Sequence, residues 1–436
     1  MIQRFDSFRS LLAGQNSGNT AFEYFEGDIR KQLSYGEVLE MIDTYPVPEE
    51  DVIGVFCDNS VLSLVTVFAL AGKRQLVLLN PMDEPSVLAD EIKAARVSKI
   101  VGQGPEELEL PSLVRGRVNS ADILFFTSGT TARNKAVVLD QQRLCSSAYN
   151  GGSLLPLYEE DRLLSVLPHA HVFGFVCSLL WPLSFGAKVA LGRGLKRIFM
   201  DFSEYRPTAV SLVPEMAAFL ASRKLFNPEL KLILIGAGPC SDQVLGMIRG
   251  MGIRVSYGYG LTESSSGIAL SLGEDPRAMT VCPDYKAVIE ADGEISVICD
   301  TTLMKGYYED EAASREVLQG NKLFTGDLGR IENGKLFITG RKKDILVLSD
   351  GTKIFLPEYE GRLKGILGPD SDFAVIQMKS GALALAAAKP DKVENAVDFF
   401  NAGYPRGQRI AKIIYVPELP KTSTGKIRRY EIDTGE

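Results

Sequence analysis

The sequence predicts an α/β fold: a large N-terminal domain of mostly parallel sheets with helices, a small antiparallel β subdomain, and a small α+β domain at the C-terminal end. Three observations support this. Short β-branched runs alternate with longer amphipathic segments through the first 250 residues, the mark of βαβ units. After about residue 280 the alternation stops and two strong hairpin signals appear. From residue 341 the charge density rises and a shorter mixed pattern begins.

The elements follow in order. DVIGVFC precedes a helix-like 60–72, and QLVLLN precedes 86–96. LLSVLP is followed by 173–185, TAVSLV by 214–225, and KLILIG by 241–250. In such sheets ligands lie beyond the carboxyl ends of the strands, where loops beginning at Ser128, Gly236 and Gly258 fall. VIEADGEISVI and GRIENGKLFITG then carry Asp292-Gly293 and Asn333-Gly334 at their turns. FAVIQM, ALALAAAK, a helix near 391–402 and KIIYVP complete the chain. A boundary near 340–344 divides it into 1–340 and 341–436, and 436 residues are more than a single core serves.

Bulk composition narrows the function classes. The net charge of −7 argues against general affinity for nucleic acid or anionic membrane. The six cysteines are scattered and only two histidines could join them, which argues against a zinc site. The first residues lack an apolar signal-like run, and the longest apolar stretch, 61–72, is too short to span a bilayer. A reduced, cytoplasmic enzyme or binding protein is expected.

FFTSGTTARNK, residues 125–135, leaves an apolar run for a loop of small hydroxyl residues closed by a lysine. Thr127, Ser128, Gly129, Thr130 and Thr131 offer hydroxyls and backbone N–H groups to phosphate oxygens, with Lys135 as point charge. A P-loop is excluded, because Asn134 stands before the lysine and Ala136 after it. By itself the stretch fits a Ser/Thr-rich surface turn equally well. YGYGLTESSSG at 257–267 supplies aromatics suited to stacking a base, and Glu263 as one carboxylate for a metal. LFTGDLGR sets Asp327 in a tight Gly-flanked turn, where a carboxylate could hold two ribose hydroxyls, and PKTSTGKIRR delivers Lys426 on a loop.

In this order the motifs resemble the adenylate-forming family of acyl-CoA synthetases, acyl- and aryl-acid ligases and luciferases, over about residues 50–430. The family loop TSGTTGxPKG stands here as TSGTTARNKA, with Ala132, Asn134 and Ala136 in place of two glycines and a proline. The resemblance implies the following roles. Gly236, Ala237, Gly238 and Pro239 look like the adenine-side loop, Tyr259, followed by Gly260, like the base-stacking aromatic, Thr262 like an α-phosphate contact and Glu263 like the magnesium ligand. Asp327 and Arg341 match the ribose pair, Lys343 the interdomain hinge, and Lys426 the catalytic lysine of a mobile C-terminal domain whose other face, DGTKIFLPEYE, meets a thiol. His171 in HVFG matches the acid-binding motif and is expected to shape the acyl pocket, His169 is unassigned, and Trp181 and Phe185 are expected in the core.

The implied reaction joins a fatty or aromatic carboxylic acid to ATP with Mg²⁺, releases pyrophosphate, and passes the acyl group to a thiol of coenzyme A or of a carrier-protein phosphopantetheine. No acidic residue lies between His171 and Leu183 to pair an α-ammonium, so a plain acid is expected over an amino acid. A degenerate nucleotide-binding sensor is the alternative from another class, prompted by the altered loop.

Overall fold

The computed structural model describes residues 3–105, 108, 110, 118–127, 135–238, 240–368, 371–388, 393–421 and 427–435. The protein is α/β, as its sequence pattern predicts. A first sheet runs in the spatial order Gly306–Tyr307, Ala136–Leu139, Ile123–Phe126, Gln75–Leu79, Val52–Phe56, Lys99–Val101. Val52–Phe56 and Gln75–Leu79 are buried at every position, as strands covered on both faces require. Val61–Leu70, capped by Ser60, is buried almost all round and is therefore an interior helix. Its Phe68 meets Phe8 at 5.1 Å between centroids, and Phe125 of the first sheet meets Phe175 at 5.7 Å. This aromatic group lies in the largest apolar cluster, which takes residues from both large sheets.

The second sheet has fourteen strands among the described residues. Its parallel half contains Arg162–Ser165, Lys188–Leu191, Ala209–Leu212 and Leu232–Ile235, and Thr20–Glu26 extends it beside Lys188–Leu191. Its antiparallel half holds both predicted hairpins, Lys286–Ile289 with Glu294–Ile298 and Lys322–Glu332 with Lys335–Arg341. The antiparallel subdomain is therefore a continuation of the parallel sheet.

One strand joins the halves. Arg254–Tyr257 pairs in parallel with Leu232–Ile235, and the same strand pairs antiparallel with Ser266–Leu270 from Gly258 onward. This corrects two expectations. The loop expected to begin at Gly258 begins at Thr262, because a new antiparallel partner keeps residues 258–261 extended. Asp327 lies within the strand Lys322–Glu332 rather than at a tight turn, with a register shift just after it at Leu328/Gly329. The helix expected over 173–185 is interrupted: Val172–Phe175 and Trp181–Leu183 are α, and Val176–Leu180 between them is a π turn, just before Pro182 withdraws a donor.

The C-terminal residues build their own packing. Phe373–Gln377, Leu383–Ala387 and Ile410–Tyr415 form a three-stranded sheet, covered by Leu356–Leu367 and Val393–Ala402. The two apolar clusters of this region draw all their residues from Leu346 onward.

Candidate active site

The first cluster is centred on Asp327. Asp327 and Arg341 face one another on adjacent antiparallel strands, and Arg341 Nε donates to Asp327 Oδ1 at 2.8 Å. Tyr259 Oη donates to Oδ2 at 2.8 Å, although three strands separate it from Asp327 along the sheet. Strong curling of the antiparallel half closes that distance. The Asp327 side chain is 4% exposed and that of Arg341 48%. Burial pushes the Asp327 carboxyl above its ordinary range, against the opposing pull of Arg341 and Tyr259. Burial and the neighbouring Asp327 drive the Tyr259 phenol well up, so it remains a donor. A carboxylate has about four acceptor sites, and these two donors leave room for a pair of hydroxyls.

The second cluster joins the two sheets. Thr127 and Lys135 close the quoted loop at its base: the Thr127 N–H donates to the Lys135 carbonyl at 3.0 Å, continuing the hairpin Ile123–Phe126 with Ala136–Leu139. Lys135 Nζ stands 4.5 Å above the Tyr307 ring, an attraction between the ammonium and the ring quadrupole. Tyr307 Oη in turn donates to Glu263 Oε1 at 2.7 Å. Among the described residues none donates to Oε2. A single carboxylate with one free oxygen suits Mg²⁺, which is commonly held by one or two carboxylates together with substrate phosphates. Ser128, Gly129, Thr130 and Thr131 lie outside the described residues.

Thr262 and Glu263 stand on a one-turn 3₁₀ segment, Thr262–Ser264, that the backbone could not form with larger residues beside it. A Cβ on Gly260 would lie 1.6 Å from the Ser266 carbonyl oxygen. Ser265 and Ser266 take φ of 53° and 97°, a costly conformation for non-glycine residues. Buried hydroxyls hold it in place: Ser265 Oγ donates to the Thr302 carbonyl, Tyr285 Oη to the Ser264 carbonyl, and Thr302 Oγ1 to Tyr285 Oη. On the loop after Leu232–Ile235, a Cβ on Gly236 would come within 2.9 Å of the Phe173 ring, Ala237 is left-handed at φ 67°, and the Gly238 carbonyl accepts from Tyr257 Oη. Pro239 is outside the described residues.

Other expected residues lie apart from these clusters. Lys343 is exposed on the turn Lys342–Asp344, where it is Lys342 that pairs with Asp292 and Glu294. Lys426 is outside the described residues. Tyr307 was not legible as a site residue, since a tyrosine after a glycine in MKGYYED carries no chemical pattern of its own.

His171 starts the segment Val172–Phe175 without capping it, and faces Asp83, which opposes the downward push that burial exerts on its pKa. His169 is fully buried with Nε2 2.7 Å from Ser165 Oγ and, among the described residues, no partner for Nδ1, and burial pushes its pKa down to about 3. A histidine neutral in the folded state and near 6.5 when unfolded binds its proton only on unfolding. Stability is therefore lost as pH falls below 6.5, with a loss of about 1.3 kcal/mol from His169 between about pH 7.5 and 5.5. Urea unfolding at the two pH values should show it, and His169→Asn should flatten the dependence.

The model of the AMP-binding enzymes matches residues 78–308, more than half of the chain. The chain belongs to this family. Its similarity to individual members of the AMP-binding, adenylate-forming family is lower. The 2-succinylbenzoate–CoA ligase of Bacillus subtilis is 26% identical over 78% of this chain and 74% of its own length. The long-chain-fatty-acid–CoA ligase FadD13 of Mycobacterium tuberculosis is 28% identical over 70% of this chain and 65% of its own. Among solved structures, the B. subtilis O-succinylbenzoate coenzyme A synthetase (MenE) in complex with AMP superposes with a TM-score of 0.81 at 21% identity, over 99% of this chain and 98% of that one. The same synthetase with ATP and magnesium ion superposes at 0.76 with 22% identity, over 98% and 99%. The fold is thus that of the adenylate-forming enzymes. Among the described residues no helix is long and apolar enough to cross a membrane.

Proposed function

We propose that this AMP-binding enzyme is an acid–thiol ligase: it condenses a carboxylic acid with ATP to an acyl-adenylate, releasing pyrophosphate, and passes the acyl group to a thiol, coenzyme A first. The observation that carries the proposal is the assembly of two clusters, Tyr259–Asp327–Arg341 and Lys135–Tyr307–Glu263, whose Tyr259 and Glu263 belong to one strand and the turn that follows it. In this reading Asp327 holds the ribose hydroxyls, Tyr259 and the loop Gly236–Ala237–Gly238–Pro239 the base, and Thr262 the α-phosphate. Thr127, Ser128, Gly129, Thr130, Thr131 and Lys135 hold the β- and γ-phosphates. Mg²⁺ at Glu263 would neutralise phosphate charge as pyrophosphate leaves. Two anions must approach, and Lys426 on a domain hinged at Lys343 provides the cation between them. CoA ligase is the name both similar proteins carry.

The acid we propose is compact, aromatic or short, rather than long-chain. A partly open cavity of about 30 Å³ is lined by Ser147, Cys177, Trp181, Leu234, Gly267 and Leu270 among others. A water needs roughly 10–15 Å³ by this measure, so the cavity as it stands takes only a few heavy atoms. Trp181 forms one wall and is fixed by its Nε1–H donating to the Leu155 carbonyl at 3.0 Å. Ser147 Oγ, with no partner among the described residues, offers a donor to a polar substituent. Among the described residues no carboxylate lines the cavity to pair an ammonium, which supports a plain acid.

The deciding assay supplies purified protein with ATP, Mg²⁺ and a panel of carboxylates, scoring pyrophosphate first and thioester second, with coenzyme A or a phosphopantetheinylated carrier as thiol. Nucleotide binding by calorimetry without pyrophosphate from any acid would overturn the ligase reading in favour of a sensor. Trp181→Leu should raise kcat/KM for longer acids over short ones by at least ~10-fold, since each methylene accommodated is worth about 1–3 kcal/mol. An unchanged preference would remove Trp181 from the pocket.

A further inference from the structure

Tyr307 stands between the two elements on which phosphate handling rests in the proposed function. Its segment is riveted to the hairpin below the phosphate loop: Lys305 N–H donates to the Val138 carbonyl at 2.9 Å, Tyr308 N–H to the Ala136 carbonyl at 2.8 Å, and Tyr307 pairs with Val137. Lys305 Nζ adds ion pairs to Asp122 and Asp140. The other side of the segment is tied to the metal-side turn, where Met304 N–H donates to the Glu263 carbonyl at 2.8 Å. Tyr307 is itself fixed, its N–H donating to Ser314 Oγ at 2.8 Å beside Gly306, whose φ of 141° lets the chain make that approach.

From this frame the side chain does two things at once. Its hydroxyl engages one oxygen of Glu263, the other accepting from no donor among the described residues, and its ring underlies the Lys135 ammonium. Glu263 belongs to the second sheet's turn and Lys135 to the first sheet's hairpin, so one rigid side chain sets the distance between a carboxylate and a cation from different sheets. We propose that Tyr307 is a positioning residue, which orients the Glu263 carboxylate for a divalent cation and holds Lys135 toward the nucleotide phosphates that share that cation. The inference rests on the ATP-binding reading above.

The two contacts separate by substitution. Tyr307→Phe keeps the ring under Lys135 and loses the hydrogen bond to Glu263, whereas Tyr307→Leu loses both. The full-length protein is titrated with Mn²⁺, followed by electron paramagnetic resonance, in the presence of the non-hydrolysable α,β-methylene analogue of ATP. Binding of that analogue without metal is measured by calorimetry, and Tm by thermal melting. Expected for Tyr307→Phe is Mn²⁺ affinity weakened about 10- to 100-fold, as for other groups that orient a metal-bound carboxylate, with metal-free analogue affinity within about 2-fold of the original. Tyr307→Leu should weaken the metal-free affinity as well. Unchanged Mn²⁺ affinity in Tyr307→Phe, or equal losses in both affinities accompanied by a lower Tm, would overturn the inference. If the unmutated protein binds neither Mn²⁺ nor the analogue, the ATP-binding reading falls first, and this inference with it.

Discussion

Lys426→Ala lowers pyrophosphate release at least ~10²-fold while leaving thioester formation from preformed acyl-adenylate in place, the expected outcome for removing a donor used in one transition state. The substrate carboxylate and the α-phosphate repel each other most as the new bond forms. A compact ammonium relieves that repulsion better in the transition state than in the ground state, so kcat falls and KM changes little. On either side of this residue in sequence, Lys421 bridges Ile427, and Arg428 N–H donates to the Pro420 carbonyl at 2.8 Å. The measurement is two separate half-reactions on one variant. Equal losses in both would assign the lysine a structural role instead.

Asp327→Ala should weaken ATP binding by at least ~10²-fold, since hydrogen bonds from hydroxyls to a charged acceptor contribute about 1.5–3 kcal/mol each. Two effects act together. The ribose loses its acceptors, and Arg341 and Tyr259 lose the partner that satisfies them within the protein. Comparing ATP with 2′,3′-dideoxy-ATP separates the two. The unmutated protein should discriminate strongly against the dideoxy nucleotide and Asp327→Ala should bind both alike. Should discrimination survive the substitution, Asp327 is not the ribose acceptor. Tm should also fall, because the variant leaves a guanidinium without the carboxylate it faces.

The strands of the parallel sheets were legible because each is a short β-branched run bounded by turn residues, as in QLVLLN and KLILIG, and burial on both faces leaves no polar alternation to confuse. The hairpins were legible for a different reason. Asp292-Gly293 and Asn333-Gly334 dictate their turns locally, and the paired strands follow. The N-terminal strands went unread. Ile29–Ser34 is an exposed edge whose residues alternate weakly, and Thr20–Glu26 carries a fully buried Glu23 that Arg30 and Arg162 neutralise. No local pattern announces a carboxylate whose partners are distant in the chain.

By itself the sequence determined the α/β class, the turns, and the identity of the chemical groups, since these depend on neighbours within a few residues and on the family's ordered motifs. Which groups meet was decided by tertiary structure alone. Tyr259 reaches Asp327 across three intervening strands because the sheet curls, and Tyr307 reaches both Glu263 and Lys135 because its short strand, at the edge of the first sheet, follows Met304, which is bonded to the turn of the second. Both arrangements arise from pairing between residues tens to hundreds of positions apart, and no window of sequence contains both partners.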